Sequence, residues 1–470
     1  MQPVEKPLCW KESEEMRRSL IVIMVAILLL ACISPASAQG PSLSTAVAVQ
    51  NLGDEPATIV VAWYTEEGGP AASSSSGAVV APGGLGNFMV AADLPSGWSG
   101  SAVVYSDQPV AVIGNTSDDF NLPNYWGSHE GFGEDTVSTN MYLPFVLRDR
   151  TNRSSIVGVQ NAGAEQAQVT IDFIGHSSSP VDDQLVVDLE PGASTIVDFA
   201  TEMSSLGNGW MGSLEATSSE PLAASAFDIG PDLFYDYSGV GAPATDLVLP
   251  FVVGARSGQD TAHALLNPNA LQATVWITYT GEIGGIAVQT VVSDTVPAHE
   301  MWNQLHSLHT GAGFLGSAVV HSDQPVLGIV NHTYGAFAAP GRKMSYNMVD
   351  SSTLTPKISL PYVLRERSNK RQGIIIQNAS DTDTTVYVSF EPLAGGGNGN
   401  PYTYSRFVEA GGFYNFGTDY AEWDPILNGA FGTMVVTNTA AVDIVAIDNT
   451  WNTAVSTSVD SLGSYIGKNY

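Results

Sequence analysis

Residues 143–150 read LPFVLRDR, and the chain repeats this phrase as LPFVVGAR at 249–256 and as LPYVLRER at 360–367. The copies lie a little over one hundred residues apart, a spacing similar to the length of one small β-sandwich domain. A phrase that returns at a nearly fixed interval indicates an internal repeat. The residues between the copies are therefore expected to repeat as well.

Other landmarks accompany the phrase in a fixed order. An apolar strand that ends in a polar pair follows it, and then a strand in which apolar and polar residues alternate, as they do when one face is buried. A Gly-rich turn, a further strand and a tyrosine complete the unit. The asparagines that end the apolar strand are Asn51, Asn161, Asn267 and Asn378; the glycines of the turn are Gly100, Gly212, Gly316 and Gly432; and the tyrosines lie in NYWG (124–127), DYSG (236–239), SYN (345–347) and SYIG (464–467).

Four copies of this unit fill the chain after an N-terminal leader. Short strands separated by Gly- and Asn-rich turns predict an all-β fold of four tandem antiparallel, immunoglobulin-like β-sandwich modules. A propeller with two blades per copy is the alternative, but the copies contain no half-length repeat. The predicted units are a signal peptide at 1–38 and β-sandwich modules at 39–138, 139–245, 246–355 and 356–470.

The element S-D-Q-P follows the Gly-rich turn in two modules, at 106–109 and 322–325. An Asp side chain can bond its own backbone, and Pro fixes φ and cannot donate within a central ladder. This element is predicted to form a hairpin turn.

The leader has the pattern of an export signal. The basic pair at 17–18 precedes an apolar run at 20–31 and a small-residue site that predicts cleavage after Ala38. The run is short for a transmembrane helix, so no span is predicted in the mature chain. Two alternatives stay open: Cys32 could carry a lipid anchor, and Met16 could be the true start.

Charge and cysteine content exclude several classes of function. The chain has a net charge of −30, and residues 39–470 hold 13 basic and 43 acidic side chains. Such a surface repels nucleic acid and anionic lipid. Both cysteines, Cys9 and Cys32, lie in the leader, so neither disulfides nor Cys-ligated metals are expected to stabilise the modules.

The ordered set of LPxVxR, a VQN strand and GSAVVxSDQPV resembles tandem β-sandwich modules of secreted and cell-surface bacterial proteins, especially of filamentous phototroph relatives. The resemblance covers residues 39–470 and is most specific at 100–110 and 316–326. It implies an immunoglobulin-like sandwich and an extracellular setting, and it implies no catalytic residues. Modules two and four depart from it at 217–222 and 437–442.

One segment stands out from the repeats as a candidate metal site. HEMWNQLHSLH at 299–309 contains His299, His306 and His309, and imidazole is a common ligand of transition metals. The spacing is not that of H-E-x-x-H, and a packing or surface role is the alternative. The sequence also contains no G-x-S-x-G elbow and no P-loop, so no catalytic residues are predicted.

Two further groups of residues could bind ligands. Acidic loops between modules offer oxygen ligands that suit Ca²⁺, although a solvated acidic loop is the simpler interpretation. Exposed aromatic side chains could stack on sugars, although most are expected in the core or in turns. The acidic candidates are Asp118, Asp119, Asp228 and Asp232, and the aromatic candidates are Trp126, Trp302, Trp423 and Trp451.

The first module lacks the LPxV phrase, because only a few residues after Gln39 precede its first landmark strand. A sandwich without its opening strand exposes an unpaired edge that can recruit another chain. We therefore hypothesise that a partner completes module one. The alternatives are that residues 39–46 form a shortened edge strand or that the edge is simply covered.

These observations favour a secreted, non-catalytic structural or adhesive protein of the bacterial cell surface or extracellular matrix. Its expected partners are other copies of itself, as in a filament, or matrix components. No cofactor is expected, apart from Ca²⁺ in the acidic loops. A carbohydrate-binding extracellular protein with a glycan ligand is the first rival, and a metal-dependent hydrolase that uses the 299–309 segment is the second.

Overall fold

A computed structural model describes residues 25–29, 43–66, 73–90, 94, 98–118, 125–230, 233–334, 342–367, 369–393, 401–417, 425–426, 428–452 and 462–470. The described chain is nearly all β and forms antiparallel sheets. The all-β prediction is therefore confirmed.

The strands follow the repeats. The first module contains β1 (Val25–Leu29), β2 (Ser44–Asn51), β3 (Ala57–Thr65), β4 (Ser73–Val80), β5 (Leu85–Met89), β6 (Gly100–Ser106), β7 (Val110–Ser117) and β8 (Trp126–Glu130). The second contains β9 (Ser138–Arg148), β10 (Ser154–Asn161), β11 (Ala167–Gly175), β12 (Asp183–Leu189), β13 (Ser194–Asp198), the 3-10 helix η1 (Ser204–Leu206), β14 (Trp210–Gly230) and β15 (Leu233–Ser238).

The other two modules keep this order of main strands and add short elements. The third contains β16 (Ala244–Gly254), β17 (Gln259–Leu266), β18 (Ala273–Ile283), β19 (Ile286–Val296), β20 (Met301–Leu305), the short helix α1 (Ser307–Thr310), β21 (Phe314–Tyr334), β22 (Arg342–Asn347), β23 (Val349–Asp350) and the 3-10 helix η2 (Ser351–Thr353). The fourth contains β24 (Lys357–Leu364), β25 (Lys370–Asn378), β26 (Thr384–Pro392), β27 (Tyr402–Val408), β28 (Phe413–Gly417), β29 (Phe431–Asn438), β30 (Ile444–Asn452), β31 (Leu462–Ile466) and β32 (Lys468–Asn469).

Each module is a sandwich of two sheets. In module one, β1-β6-β3-β4 form one sheet and β5-β2-β7-β8 form the other. Module four repeats this with β24-β29-β26-β27 and β28-β25-β30-β31. In modules two and three, a single 21-residue strand, β14 or β21, contributes to both sheets.

The predicted hairpin at S-D-Q-P is wrong. The strands on either side of it pair with different sheets, β6 with β1 and β3, and β7 with β2 and β8, so this element is a corner where the chain changes sheets. The aspartates fix that corner: Asp107 accepts a hydrogen bond from the Thr58 N–H and Asp323 accepts one from the Thr274 N–H, both at 2.7 Å.

The repeated asparagines close the turn after the second strand of each module. The Asn51 amide donates to the Glu55 carbonyl at 2.7 Å, and its side-chain oxygen accepts from the Gly53 N–H at 2.8 Å. An Asx turn of this kind satisfies backbone groups that the strand leaves unpaired. The same amide-to-carbonyl bond joins Asn161 to Glu165, Asn267 to Leu271 and Asn378 to Thr382.

The repeated glycines stand where two strands approach closely. A Cβ atom at Gly212 would collide with the Ile174 carbonyl, and one at Gly316 would collide with the Thr280 carbonyl. Because any larger residue would force the strands apart, this position requires glycine.

In modules two to four, the repeated tyrosine bonds the backbone of the LPxV phrase. The opening strand slips in register at Pro-Phe or Pro-Tyr, so the aromatic residue's backbone N–H and C=O leave the ladder. In module four the Tyr465 hydroxyl donates to the Tyr362 carbonyl at 2.8 Å and accepts from its N–H at 3.2 Å. Tyr237 and Tyr346 do the same for Phe145 and Phe251.

Module one lacks this bond between a tyrosine and the opening strand. Strand register places His129, not Tyr125 of NYWG, at the position of the tyrosines, so the prediction of a fourth tyrosine is wrong. The place of the opening strand beside β6 is taken by β1, whose residue Val25 pairs with Val104 and Leu29 with Gly100. Residues 44–51 form the second strand, and residues 39–42 of the predicted edge strand lie outside the described residues.

The four modules close into a ring. Their final strands β8, β15, β22 and β31 contact one another in that order, and β31 returns to β8. The opening strand of each module packs against the second strand of the next, and β24 of module four packs against β2 and β7 of module one.

Candidate functional site

Neighbouring modules pack through equivalent positions on two adjacent strands. One is the second strand of each module (β2, β10, β17 or β25), and the other is β7, the second half of β14, the second half of β21, or β30. Ala264 and Ile329 of module three belong to the apolar core of module two. Two pairs occupy the same positions at the next junctions, Ile375 with Ile447 and Ala48 with Ile113. Burying such side chains contributes about 1.5–3 kcal/mol each, so these junctions resemble domain cores rather than flexible linkers.

Polar contacts also close the ring between modules four and one. The Lys370 ammonium lies 3.8 Å from the centre of the Trp126 ring. Thr433 donates to the Gly83 carbonyl at 2.7 Å, and Lys468 pairs with Asp135 at 2.7 Å. A cation over an indole face is attracted by the ring quadrupole, which adds to the apolar contact.

A buried charged network lies where the final strands meet. His129 Nδ1 is 2.8 Å from an Asp236 carboxylate oxygen, and both side chains are buried. The Glu130 carboxylate accepts from the Ile466 N–H, and burial raises the pKa of Glu130. The network joins the final strands of modules one, two and four, so it fixes the orientation of these strands where they meet at the centre of the ring.

The junction between modules one and two is different. Gly158, Ser194 and Ser225 of module two take the places that are apolar at every other junction, such as Ala264, Met301 and Ile329 of module three. β1 contacts β10 and β14 here. These three positions therefore contribute little apolar surface here, and the buried apolar contact between modules one and two lies in the separate cluster around Leu43 and Phe234.

The histidine segment divides between the surface and the core. His299 is exposed, whereas His306 is fully buried at the position that Phe199 holds in module two. His263 lies beside it, with ring centroids 5.3 Å apart, and His309 lies 6.2 Å from His263. The structure thus places His299 at the surface and His306 in the core, and it does not bring His299, His306 and His309 together as a group that could hold a metal ion.

Burial keeps these imidazoles neutral. It lowers the pKa of His263 to about 3 and lowers that of His306 well below its ordinary value. The Thr261 hydroxyl lies 2.6 Å from His306 Nδ1. Within the described ranges, no group of three or more His, Cys, Asp or Glu side chains is placed to hold a metal ion. The cluster thus packs as polar aromatic core.

The acidic candidates are not brought together among the described residues. Asp118 accepts a hydrogen bond from the Tyr125 N–H at 3.0 Å. Asp228 is buried and accepts from the hydroxyls of Ser155 and Tyr235, and burial raises the pKa of Asp228. Asp119 and Asp232 lie outside the described residues.

The three aromatic candidates that the structure describes are buried or half-buried. Trp126 is buried, Trp302 and Trp451 are half-buried, and Trp423 lies outside the described residues. Trp276 and Tyr387 are instead exposed, at 38% and 39%, on equivalent positions of β18 and β26. Both stand at the outward position of an alternating strand, which is the signal that could have identified them.

Comparisons with known proteins identify no family. No family model matches the sequence, and no curated protein matches it. A solved structure of Thermotoga maritima 1070 is 14% identical and has a TM-score of 0.20, covering 23% of this chain and 95% of that one.

Two other solved structures align over most of this chain. A tetra-tandem repeat from the extending region of a large adhesion protein is 13% identical, with 96% and 99% of the two chains covered and a TM-score of 0.10. A glycoside hydrolase of family 32 from Bifidobacterium adolescentis is 9% identical, with 95% and 96% covered and a TM-score of 0.16. All the TM-scores are below 0.5, so no argument rests on these proteins.

Among the described residues, none of the helices has the length and apolar character needed to cross a membrane.

Proposed function

We propose that the chain is a secreted, non-catalytic structural or adhesive protein of the bacterial cell surface or extracellular matrix. Its ring of four sandwiches would act as one rigid unit, and it would join a partner chain through the edge of module one. The shared cores support rigidity, because three of the four junctions bury side chains from two modules in one large apolar cluster.

The observation that carries the proposal is the origin of the strand beside β6. β1 lies at 25–29, inside the leader that the sequence predicts to be removed after Ala38. Removal of β1 would leave the backbone groups of residues 100–104 unpaired along one edge of β6. An open edge of this kind accepts an added strand from another chain.

The face of module two supports an exchangeable strand at this place. Its positions Gly158, Ser194 and Ser225 offer little apolar surface. A strand held there gains little apolar contact from these three positions, and its main-chain hydrogen bonds to β6 are the same for many sequences. The other three junctions have opening strands that belong to the repeats.

The test compares two chains expressed without export, residues 24–470 and residues 39–470. Light scattering on a size-exclusion column is expected to give a monomer for the longer chain and dimers or larger assemblies for the shorter one. A peptide of residues 24–31 with terminal lysines is expected to bind the shorter chain and to reverse its association. Equal masses for the two chains, together with no peptide binding, would refute the proposal.

A carbohydrate-binding function is the second candidate. Trp276 and Tyr387 are exposed on flat sheet faces at equivalent positions of two modules, where two aromatic rings could each stack on a sugar. A glycan array with the wild-type chain and with Trp276→Ala and Tyr387→Ala tests this function. Binding that the two variants lose would favour it over the structural role.

A further inference from the structure

The junction between modules two and three contains a cleft of about 430 Å³. Its lining includes Arg150, Arg153 and Lys343 and has no Asp or Glu. Residues 39–470 hold 43 acidic and 13 basic side chains, so a basic lining without acidic residues is opposite in sign to the net charge of the chain. Ligand sites are concave, mostly apolar and marked by a few placed polar groups.

The basic side chains come from two modules and are held in place. Arg150 and Arg153 border the turn between β9 and β10, where Arg150 Nη1 donates to the Gly209 carbonyl at 2.8 Å. Arg153 Nη1 lies 3.3 Å from the Tyr235 hydroxyl. Lys343 reaches the cleft from β22 of module three and is only 4% exposed.

One buried carboxylate lies near these cations. Asp228 feels the charges of both Arg153 and Lys343, and each lowers its pKa against the larger effect of burial. The lining therefore brings three basic side chains together in an otherwise acidic protein.

The other three junctions provide an internal comparison. The positions of Arg153 and Lys343 are filled by Leu43 and Phe234 between modules one and two, where both side chains share an apolar cluster. They are filled by Gln259 and Leu462 at the third junction, and by Lys370 and Trp126 at the fourth, where the lysine stacks on the indole. Two cations meet only at the junction of modules two and three.

We propose that this cleft binds a small organic carboxylate with an apolar body. The carboxylate would meet Arg153 and Lys343, because a guanidinium fork and an ammonium are strong donors to such a group. The apolar body would lie against Phe145, Met211 and Met344, which line the same cleft. The site is independent of the open edge of module one.

The test uses 1-anilinonaphthalene-8-sulfonate, an organic anion that fluoresces in apolar sites, as the reporter and 2-naphthoate as the competitor. One equivalent of the reporter is expected to bind per chain, more weakly in high salt, and 2-naphthoate is expected to displace it. Arg153→Gln and Lys343→Leu install residues that other junctions carry at these positions. Each is expected to weaken binding at least tenfold.

Lys370→Gln is the matched control, since it removes the cation from the equivalent position of another junction; binding is expected to change by less than twofold. Circular dichroism melting establishes that each variant is folded, and Arg153→Gln decides the result alone if Lys343→Leu does not fold. Unchanged binding in Arg153→Gln, an equal loss in Lys370→Gln, or equal displacement by neutral 2-naphthalenemethanol would overturn the proposal.

Discussion

The core of module three contains His263 where the other modules carry Val47, Val157 and Ile374, all fully buried. Burial lowers the pKa of His263 to about 3, from an ordinary value of 6.5. The folded chain therefore keeps this imidazole neutral at a pH where the unfolded chain protonates it. The stability present above pH 6.5 is lost progressively as the pH falls toward 3.

The size of the loss follows from these two values. At pH 5, protonation favours the unfolded chain by about 2 kcal/mol, because each pH unit below the ordinary pKa contributes about 1.4 kcal/mol. His263→Val removes this term and installs the residue of module two. Buried carboxylates such as Glu130 contribute with the opposite sign, because burial raises their pKa, but they contribute equally to both proteins.

The assay is urea unfolding of wild type and His263→Val, followed by tryptophan fluorescence at pH 7.5 and pH 5.0. Between these pH values the wild type is expected to lose about 2 kcal/mol more than the variant. Far-UV circular dichroism checks that the variant keeps its strands. Equal losses in the two proteins would mean that His263 is protonated in the folded state and would refute the argument.

Two other substitutions test buried polar groups. Tyr465→Phe removes the hydroxyl that satisfies the Tyr362 N–H and C=O. It is expected to lower the free energy of unfolding, measured by urea unfolding, by about 2–4 kcal/mol. Tyr387→Phe, on an exposed ring, is the control and is expected to change that free energy by less than about 0.5 kcal/mol. Asp448→Asn is expected to gain stability relative to wild type as the pH rises from 4 to 8, because burial raises the pKa of Asp448 and the ionised form is disfavoured in the fold; a flat difference across that range would contradict this expectation.

The repeat pattern predicted the strands well because the signals are local. Alternation in residues 167–174 matches the burial of Val169, Ile171 and Phe173 on one face. The repeated asparagines predicted turns, and each closes a turn of only four residues. Periodicity and short-range hydrogen bonds are both readable from neighbouring residues.

Ring closure could not be predicted in this way, because it joins residues more than three hundred positions apart, such as Gly83 and Thr433. One signal was available. The second strand of module one, TAVAVQN at 45–51, is apolar or uncharged throughout and buried on both faces. A continuous run of this kind indicates a strand covered on both sides, and the second cover is the next module in the ring.

The candidate site was predicted only in part. The histidine segment is unusual as expected, but His306 replaces a core Phe, and its partner His263 lies on a different strand. The cations of the cleft, Arg153 and Lys343, are separated by nearly two hundred residues. No spacing rule connects such residues, because only the contact between modules brings them together.

The central claim is that four sandwiches close into one ring, and small-angle X-ray scattering from the monomer of residues 24–470 tests it most directly. A compact chain of this length has a radius of gyration of about 22 Å, whereas four such modules in a line would give about 40 Å. The ring predicts the smaller value, with a pair-distance distribution that has a single maximum. A value near the larger one would contradict it.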